Sequence, residues 1–185
     1  MTHRAPIVIV PYAEAWPSTF AQERDQLARL FPEAGTCIEH IGSTAVPGLA
    51  AKPIIDILIG VTTLAQVEVR VDDLARLGYE YMPQHECVLP QRRFFAKPLV
   101  RPRRFHLHGV VVGEAFWKEH IAFRDALRSS RALASEYETL KRGLAAQFGN
   151  DRESYTDAKS GFITRVVHRA CYAQGGGLKP GPRAL

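Results

Sequence analysis

The chain is poor in cysteine and has no long hydrophobic segment. Its three cysteines, Cys37, Cys87 and Cys171, are far apart and form no Cys-x-x-Cys pair, which argues against a disulfide framework and fits a reducing compartment. No apolar run approaches the roughly 20 residues that a membrane span requires, and the N-terminus lacks the apolar segment of a secretory signal. We therefore expect a cytoplasmic protein with no membrane partner.

Basic residues are more abundant than acidic ones. The sequence contains 24 Lys and Arg against 19 Asp and Glu, which gives a net charge of +5. A basic balance is compatible with nucleic acid, nucleotides or phosphorylated metabolites as partners. The arginines are spread along the whole chain, and the densest basic group, residues 92–104, surrounds two predicted strands. We therefore favour a nucleotide or a phosphorylated small molecule over nucleic acid.

The order of short apolar runs and helical periodicities predicts an α+β fold. Helices are expected from Trp16 to Phe31 and from Leu64 to Leu77, and a helical pattern with breaks near 129–130 and 149–150 continues to Cys171. Strands are expected at residues 7–10, 37–41, 54–61, 79–82, 92–96 and 105–112. We therefore divide the chain into an α/β core (1–113), a helical segment packed on it (114–172) and a disordered, Gly- and Pro-rich tail (173–185).

Asp56 is a polar residue within an otherwise apolar predicted strand. Strand alternation places Ile54, Asp56 and Leu58 on one face. An ionised carboxylate cannot lie unpaired against hydrocarbon at acceptable cost. Asp56 therefore needs a cation, a metal ion or a ligand that carries one. A structural ion pair with Lys52 or an arginine is the alternative.

Two histidines occupy one face of the last predicted strand. His106 and His108 flank Leu107, so their side chains project to the same side, roughly 6.5 Å apart along the chain. This spacing suits two ligands of one metal ion or two donors to one phosphate. A pair of purely structural histidines is the alternative.

Candidate phosphate-binding residues lie outside these strands as well. Gly42 and Ser43 follow a predicted strand, where glycine permits close approach of the backbone to a phosphate and serine offers a hydroxyl. A simple turn with a capping serine is the alternative. Four basic side chains are further candidates for binding the anion, each with a solvent-facing or paired charge as the alternative: Lys52, Arg93, Arg124 and Lys159.

The segment from Glu39 to Ile57, EHIGSTAVPGLAAKPIIDI, resembles the signature of the GrpB family. The likeness extends over most of residues 7–170. It is carried further by Arg92–Lys97, His106–His108, Phe123–Arg128, and Tyr155 with Lys159. That family is grouped with the nucleotidyltransferase-like superfamily. The resemblance therefore implies a mixed β-sheet flanked by helices, with a Gly-Ser turn before a metal-binding strand.

Active members of that superfamily hold two divalent ions on two carboxylates of one strand and a third from a neighbouring strand. Carried onto this chain, Gly42 and Ser43 match the turn and Asp56 matches the first carboxylate, whereas Leu58 stands at the position of the second. The resemblance thus implies Asp56, His106 and His108 as catalytic and metal-binding residues. The implied cofactor is Mg²⁺ or Mn²⁺, with Zn²⁺ or Fe²⁺ as alternatives because imidazole suits them.

Three functions remain open, and the sequence does not decide whether the chain is an enzyme. The first is transfer of a nucleotidyl group from a nucleoside triphosphate to an acceptor. The second is a non-catalytic nucleotide- or phosphometabolite-binding module accessory to coenzyme A metabolism, because similar domains are fused to dephospho-CoA kinase, which is therefore a candidate partner. The third is a hydrolytic or other activity at a single metal ion held by Asp56, His106 and His108.

Overall fold

A computed structural model of the chain describes residues 6–100 and 102–173. Within them lies one sheet of five strands: β1 (Cys37–Ile41), β2 (Ile55–Val61), β3 (Glu80–Tyr81), β4 (Arg92–Lys97) and β5 (Phe105–Val111). The α-helices are α1 (Ala15–Leu30), α2 (Ala65–Glu68), α3 (Val71–Arg76), α4 (Ala115–Ser129), α5 (Arg131–Phe148) and α6 (Arg152–Ala173). The predicted α+β class, with a mixed sheet and a C-terminal helical segment, is confirmed.

The strand order β1-β2-β5-β4-β3 places β2 and β5 at the centre of the sheet. These two strands are parallel, whereas the other pairs are antiparallel. In the register of the parallel pair, Asp56 lies beside His106 and Leu58 beside His108. Because residues that pair across strands project to the same face, this register brings the acid and the two histidines together.

Helices cover both faces of the sheet. On one face, α1, α2 and α3 pack through Leu27, Val67 and Leu74 against a core that includes Ile57 and Phe95 of the sheet. The other face of the sheet carries Asp56 and both histidines. Part of it is sealed by Phe116 of α4, which packs on Ile41, Leu58 and Val110. Helices α4, α5 and α6 pack against one another around Phe123, Tyr137 and Phe162.

The predicted strand at residues 7–10 is wrong. Val10 forms an isolated bridge with Ala51, but Ile7 leaves the sheet, donates its N–H to the Gly149 carbonyl and packs with Leu144 and Tyr155. Ile7 and Ile9 therefore pack on α5 and α6 instead of extending the sheet, whereas Val10 contacts the main core and Val8 is exposed.

The helix predicted from Leu64 to Leu77 is divided into α2 and α3. The break lies at Arg70, whose guanidinium donates to the carbonyls of Leu30 and Gln66 and pairs with Glu33. The boundary after residue 113 coincides with the turn before α4, while the division into two units stays a prediction. The predicted tail lies outside the described residues except Ala173. No helix among the described residues is long and apolar enough to cross a membrane.

Candidate functional site

A pocket of about 410 Å³ opens on the sheet face that carries Asp56. Its floor is formed by the neighbouring strands β2, β5 and β4, and its walls by the turn after β1 and by helices α4, α5 and α6. The predicted site residues that line it are Gly42, Ser43, Lys52, Asp56, His106, His108 and Lys159. The structure therefore brings the aspartate, the two histidines and the Gly-Ser turn together at one pocket.

Asp56 and His106 form a hydrogen-bonded pair at the centre of the pocket. The distance between Asp56 Oδ1 and His106 Nδ1 is 3.1 Å. Burial alone would raise the pKa of the Asp56 carboxyl, but hydrogen bonding with His106 and His108 outweighs it and holds the pKa well below its usual range. An ionised carboxylate has no proton to give, so His106 Nδ1 donates. A neutral His106 then carries a free lone pair on Nε2.

His108 links this pair to Arg92. The distance between Arg92 Nη1 and His108 Nδ1 is 3.4 Å, and because guanidinium only donates, His108 Nδ1 accepts. Burial lowers the pKa of His108 to about 4, so its ring is neutral near pH 7 and carries its proton on Nε2. The interaction of Asp56 with this neutral ring helps to keep the pKa of the carboxyl low.

The absence of a side chain at Gly42 leaves room for the Asp56 carboxylate. Its φ of +70° lies in the region that favours glycine, and a Cβ at this position would lie 2.5 Å from Asp56 Oδ2. Ser43 begins a short 3-10 helix, Ser43–Ala45, and lines the pocket together with Tyr137 of α5. The turn is thus fitted both to the carboxylate and to the helical wall of the pocket.

Three lysines form one wall of the pocket: Lys52 before β2, Lys141 of α5 and Lys159 of α6. Lys52 and Lys159 place their ammonium groups 5.1 and 4.5 Å from the centre of the Tyr155 ring. Lys141 is 3% exposed and donates to the carbonyl oxygen of Ala50. Within residues 6–100 and 102–173, none of the three forms an ion pair with a carboxylate.

Burial and mutual repulsion destabilise the charged forms of the three lysines of the wall. Burial and the neighbouring Lys159 lower the pKa of Lys141 to about 7. Burial and the neighbouring Lys52 lower the pKa of Lys159 to about 8, and burial also lowers the pKa of Lys52. A bound anion would offset this mutual repulsion and the loss of hydration. Sequence reasoning missed Lys141, because one lysine on an amphipathic helix is normally a solvent-facing residue.

Two predicted anion-binding residues do not line the pocket. Arg93 projects to the opposite face of β4 and pairs with Glu68 and Glu86. Arg93 shares a face of β4 with Phe95, which packs in the main core, and it therefore lies away from the pocket.

Arg124 also lies outside the pocket. Its guanidinium is 8% exposed, pairs with Glu39 and Asp125, and donates to the carbonyl oxygen of His40. It therefore joins α4 to β1 and has its charge satisfied within the fold. Its predicted role in binding an external anion is corrected to a structural one.

The donor set does not fit the two-metal site that the resemblance implies. Leu58, at the position of the second carboxylate, is fully buried against α4. Among the described residues, no group of three or more His, Cys, Asp or Glu side chains is placed to hold a metal ion. A single carboxylate whose oxygens already accept from imidazoles is a poor site for a hard cation. Use of a metal therefore stays a prediction from the resemblance.

The arrangement divides the pocket into three parts with different chemistry. The lysine wall offers positive charge to a polyanion. The centre offers a carboxylate-oriented imidazole that can accept a proton, and the region over β4 and β5 offers Arg92 among aromatic and imidazole rings. The pocket therefore suits an anionic ligand whose reacting group lies near His106.

Comparison with known proteins gives consistent similarities over nearly the whole chain. The sequence profile of the family described as "GrpB protein" matches residues 6–169. The "Glutamate-rich protein GrpB" of Alkalihalophilus pseudofirmus is 35% identical over 170 residues, which cover 90% of this chain and 97% of that protein. A UPF0157 protein of Streptomyces coelicolor is 37% identical over 159 residues, 86% of this chain and 81% of the relative.

A solved structure and one named enzyme complete the comparison. The crystal structure of the conserved protein GrpB from Enterococcus faecalis matches with a TM-score of 0.82 and 34% identity, covering 91% of this chain and 99% of that one. A dephospho-CoA kinase of Mycolicibacterium paratuberculosis is 26% identical over 200 residues, 96% of this chain and 49% of the kinase.

Proposed function

The chain belongs to the GrpB family, and from this premise we propose that its pocket binds a nucleotide or another phosphorylated small molecule through the phosphate groups. The observation that carries the proposal is the convergence of Lys52, Lys141 and Lys159 on one wall without a carboxylate partner among the described residues. Burial lowers the pKa values of all three lysines, so a bound anion would stabilise their charged forms.

The number of lysines favours a ligand with several negative charges. A single carboxylate would offset one ammonium charge and leave two others in mutual repulsion. A di- or triphosphate carries three or more charges and enough oxygen acceptors for all three ammonium groups. A pocket of about 410 Å³ also lies in the size range of small-molecule sites.

Transfer of a nucleotidyl group is a second candidate function, favoured by the position of the Asp56–His106 pair beside the Gly42-Ser43 turn. The hydroxyl oxygen of an acceptor would attack the α-phosphorus, the bond to pyrophosphate would break, and the hydroxyl proton would pass to His106 Nε2. The lysines would hold the leaving pyrophosphate.

Calorimetric titration tests the binding proposal. Inorganic triphosphate, ATP and coenzyme A precursors, the last suggested by the similarity to dephospho-CoA kinase, are titrated with and without Mg²⁺, Mn²⁺ or Zn²⁺. We expect a phosphorylated ligand to bind without metal and to bind at least about tenfold more weakly to Lys159→Gln, because a charge-assisted hydrogen bond contributes about 1.5–3 kcal/mol. Lys118→Gln, which removes an exposed charge of α4, is the matched control.

Equal affinities of Lys159→Gln and Lys118→Gln, or no heat with any phosphate compound, would refute the proposal. Transfer is tested separately by the release of pyrophosphate from a bound triphosphate in the presence of candidate acceptors. Binding without release of pyrophosphate would identify the chain as a binding module. Binding that appears only with a metal ion and is lost in Asp56→Asn would instead identify a metal site.

A further inference from the structure

Arg92 is a half-buried cation with incomplete hydrogen bonding. Its Nε is inaccessible to solvent and has no hydrogen-bond partner among the described residues. The guanidinium lies over the rings of Phe94 and Phe116, at 4.8 and 5.7 Å from their centres, and its contact with His108 is a long one, at 3.4 Å. Burial lowers the pKa of Arg92 to about 10, so the group remains charged near neutral pH.

Well-buried arginines elsewhere in this protein have carboxylate partners. Arg93 pairs with Glu68 and Glu86, Arg103 with Glu80, and Arg124 with Glu39 and Asp125. In the described part of the chain Arg92 has no such partner, although it lines the pocket. Its position over β4 is on the far side of β5 from Asp56 and the lysine wall.

We propose that Arg92 forms a second anion subsite, which binds the carboxylate of a second small molecule beside the phosphorylated ligand. This subsite deepens the proposed function, because it lies in the same pocket and defines the class of the co-substrate. The outer edge of the guanidinium, formed by Nη1 and Nη2, presents two parallel N–H groups, which match the two oxygens of a planar carboxylate.

The charge around Arg92 favours a carboxylate over a phosphate monoester. Histidines surround the guanidinium at this end, and burial lowers the pKa values of His85, His108 and His120, the last two to about 4 and about 3. They are neutral near pH 7, so Arg92 supplies a single positive charge. A carboxylate neutralises it, whereas a phosphate dianion would leave one buried negative charge unpaired. The ring of Phe94, which also lines the pocket, adds flat apolar surface for the rest of the molecule.

The two anion subsites place His106 between two ligands. A carboxylate on Arg92 would direct the body of its molecule over β5, toward the Asp56–His106 pair, while phosphates on the lysine wall approach the pair from α5 and α6. A hydroxyl on the carboxylate-bearing molecule would then meet the free Nε2 of His106. The co-substrate class inferred from this geometry is a small hydroxy acid or a similar carboxylate with a nucleophilic group.

Ligand-observed NMR titration tests the subsite with benzoate against its neutral isostere benzamide, in the presence of saturating inorganic triphosphate. We expect the wild-type protein to bind benzoate about tenfold to a hundredfold more tightly than benzamide, the range that corresponds to a hydrogen-bonded charge. Arg92→Gln removes this preference. Arg93→Gln is the matched control and keeps it, because Arg93 lies on the opposite face of the same strand.

Each other outcome overturns the inference or separates it from the proposed function. No preference for benzoate in the wild-type protein, or a preference that survives Arg92→Gln, refutes the subsite even if triphosphate binds. Tighter binding of phenyl phosphate than benzoate at Arg92 refutes the carboxylate assignment. Failure of triphosphate to bind, with an Arg92-dependent preference for benzoate intact, refutes the proposed function and leaves the subsite standing. If Arg92→Gln does not fold, Arg92→Lys retains charge and bulk but loses the parallel donors, and an unchanged preference in it refutes the inference.

Discussion

Replacing Lys141 by Met should make the protein more stable near neutral pH. The side chain of Lys141 is 3% exposed, and Met has a similar length and fills a similar volume without a charge. The pKa of Lys141 falls from its ordinary 10.5 to about 7 in the folded protein. Because each pKa unit corresponds to about 1.4 kcal/mol, keeping this amine in the fold costs roughly 4 kcal/mol at about pH 7.

The same substitution removes one favourable contact. The Lys141 ammonium donates to the carbonyl of Ala50, and leaving a buried acceptor without its donor costs about 1–3 kcal/mol. The net gain expected for Lys141→Met is therefore roughly 2 kcal/mol near pH 7. Between about pH 7 and pH 10.5 the unfolded chain binds more protons at this lysine than the folded one, so the stability of the wild-type protein rises with pH. At about pH 10 the cost of the buried amine shrinks to roughly 1 kcal/mol, and the variant should then be the less stable protein.

Urea unfolding of Lys141→Met, the wild type and the exposed control Lys118→Met at about pH 7 and pH 10 measures these differences. The control should stay within about 0.5 kcal/mol of the wild type at both pH values. The decisive result is the change of sign for Lys141→Met. A variant that is destabilised equally at both pH values would show that Lys141 is not strained by its burial, and the reasoning about the lysine wall would be wrong.

Two further predictions concern the floor of the pocket. Gly42→Ala should lower the free energy of unfolding by about 1–3 kcal/mol or more in chemical denaturation, because the new Cβ meets Asp56 Oδ2 and the backbone has a φ of +70°. The control is Gly48→Ala, where φ is +76° and nothing lies within 4 Å of the new Cβ. Equal stability of the two variants would contradict the steric argument. Leu58→Asp restores the second carboxylate of the superfamily pattern. Because Leu58 is 0% exposed, this variant should unfold or lose more than about 3 kcal/mol of stability, without creating a metal site. A folded variant that binds Mn²⁺ in calorimetry would contradict this prediction.

The central part of the site could be predicted from the sequence, because strand alternation and the composition of turns are local patterns. Strand alternation placed Asp56 on one face of its strand and both histidines on one face of theirs, and a Gly-Ser pair after a strand marked the turn. The adjacency of β2 and β5 was implied by the resemblance alone, since 50 residues separate Asp56 from His106. Pairing over such a separation is decided by the whole fold.

The features that the sequence did not predict depend on tertiary packing, which a local pattern does not determine. Arg92-Arg93-Phe94-Phe95 alternates equally well in both registers, and the core selected Phe95, which turned Arg92 into the pocket and Arg93 out of it. The apolar residues 7–10 have strong strand propensity, but Ile7 and Ile9 pack on the apolar surface of α5 and α6. No local pattern distinguishes Lys141 from a solvated lysine, although its side chain is buried and donates to the carbonyl oxygen of Ala50.

The parallel pairing of β2 with β5 has a consequence for how the protein is made. The aspartate and its histidine lie 50 residues apart, and the last lysine of the wall belongs to α6, the final described helix. Contacts that span so much of the chain form late during folding. A growing polypeptide on the ribosome therefore has no complete pocket until α6 has emerged and docked, so that ligand capture would distinguish chains with a docked α6 from chains without one.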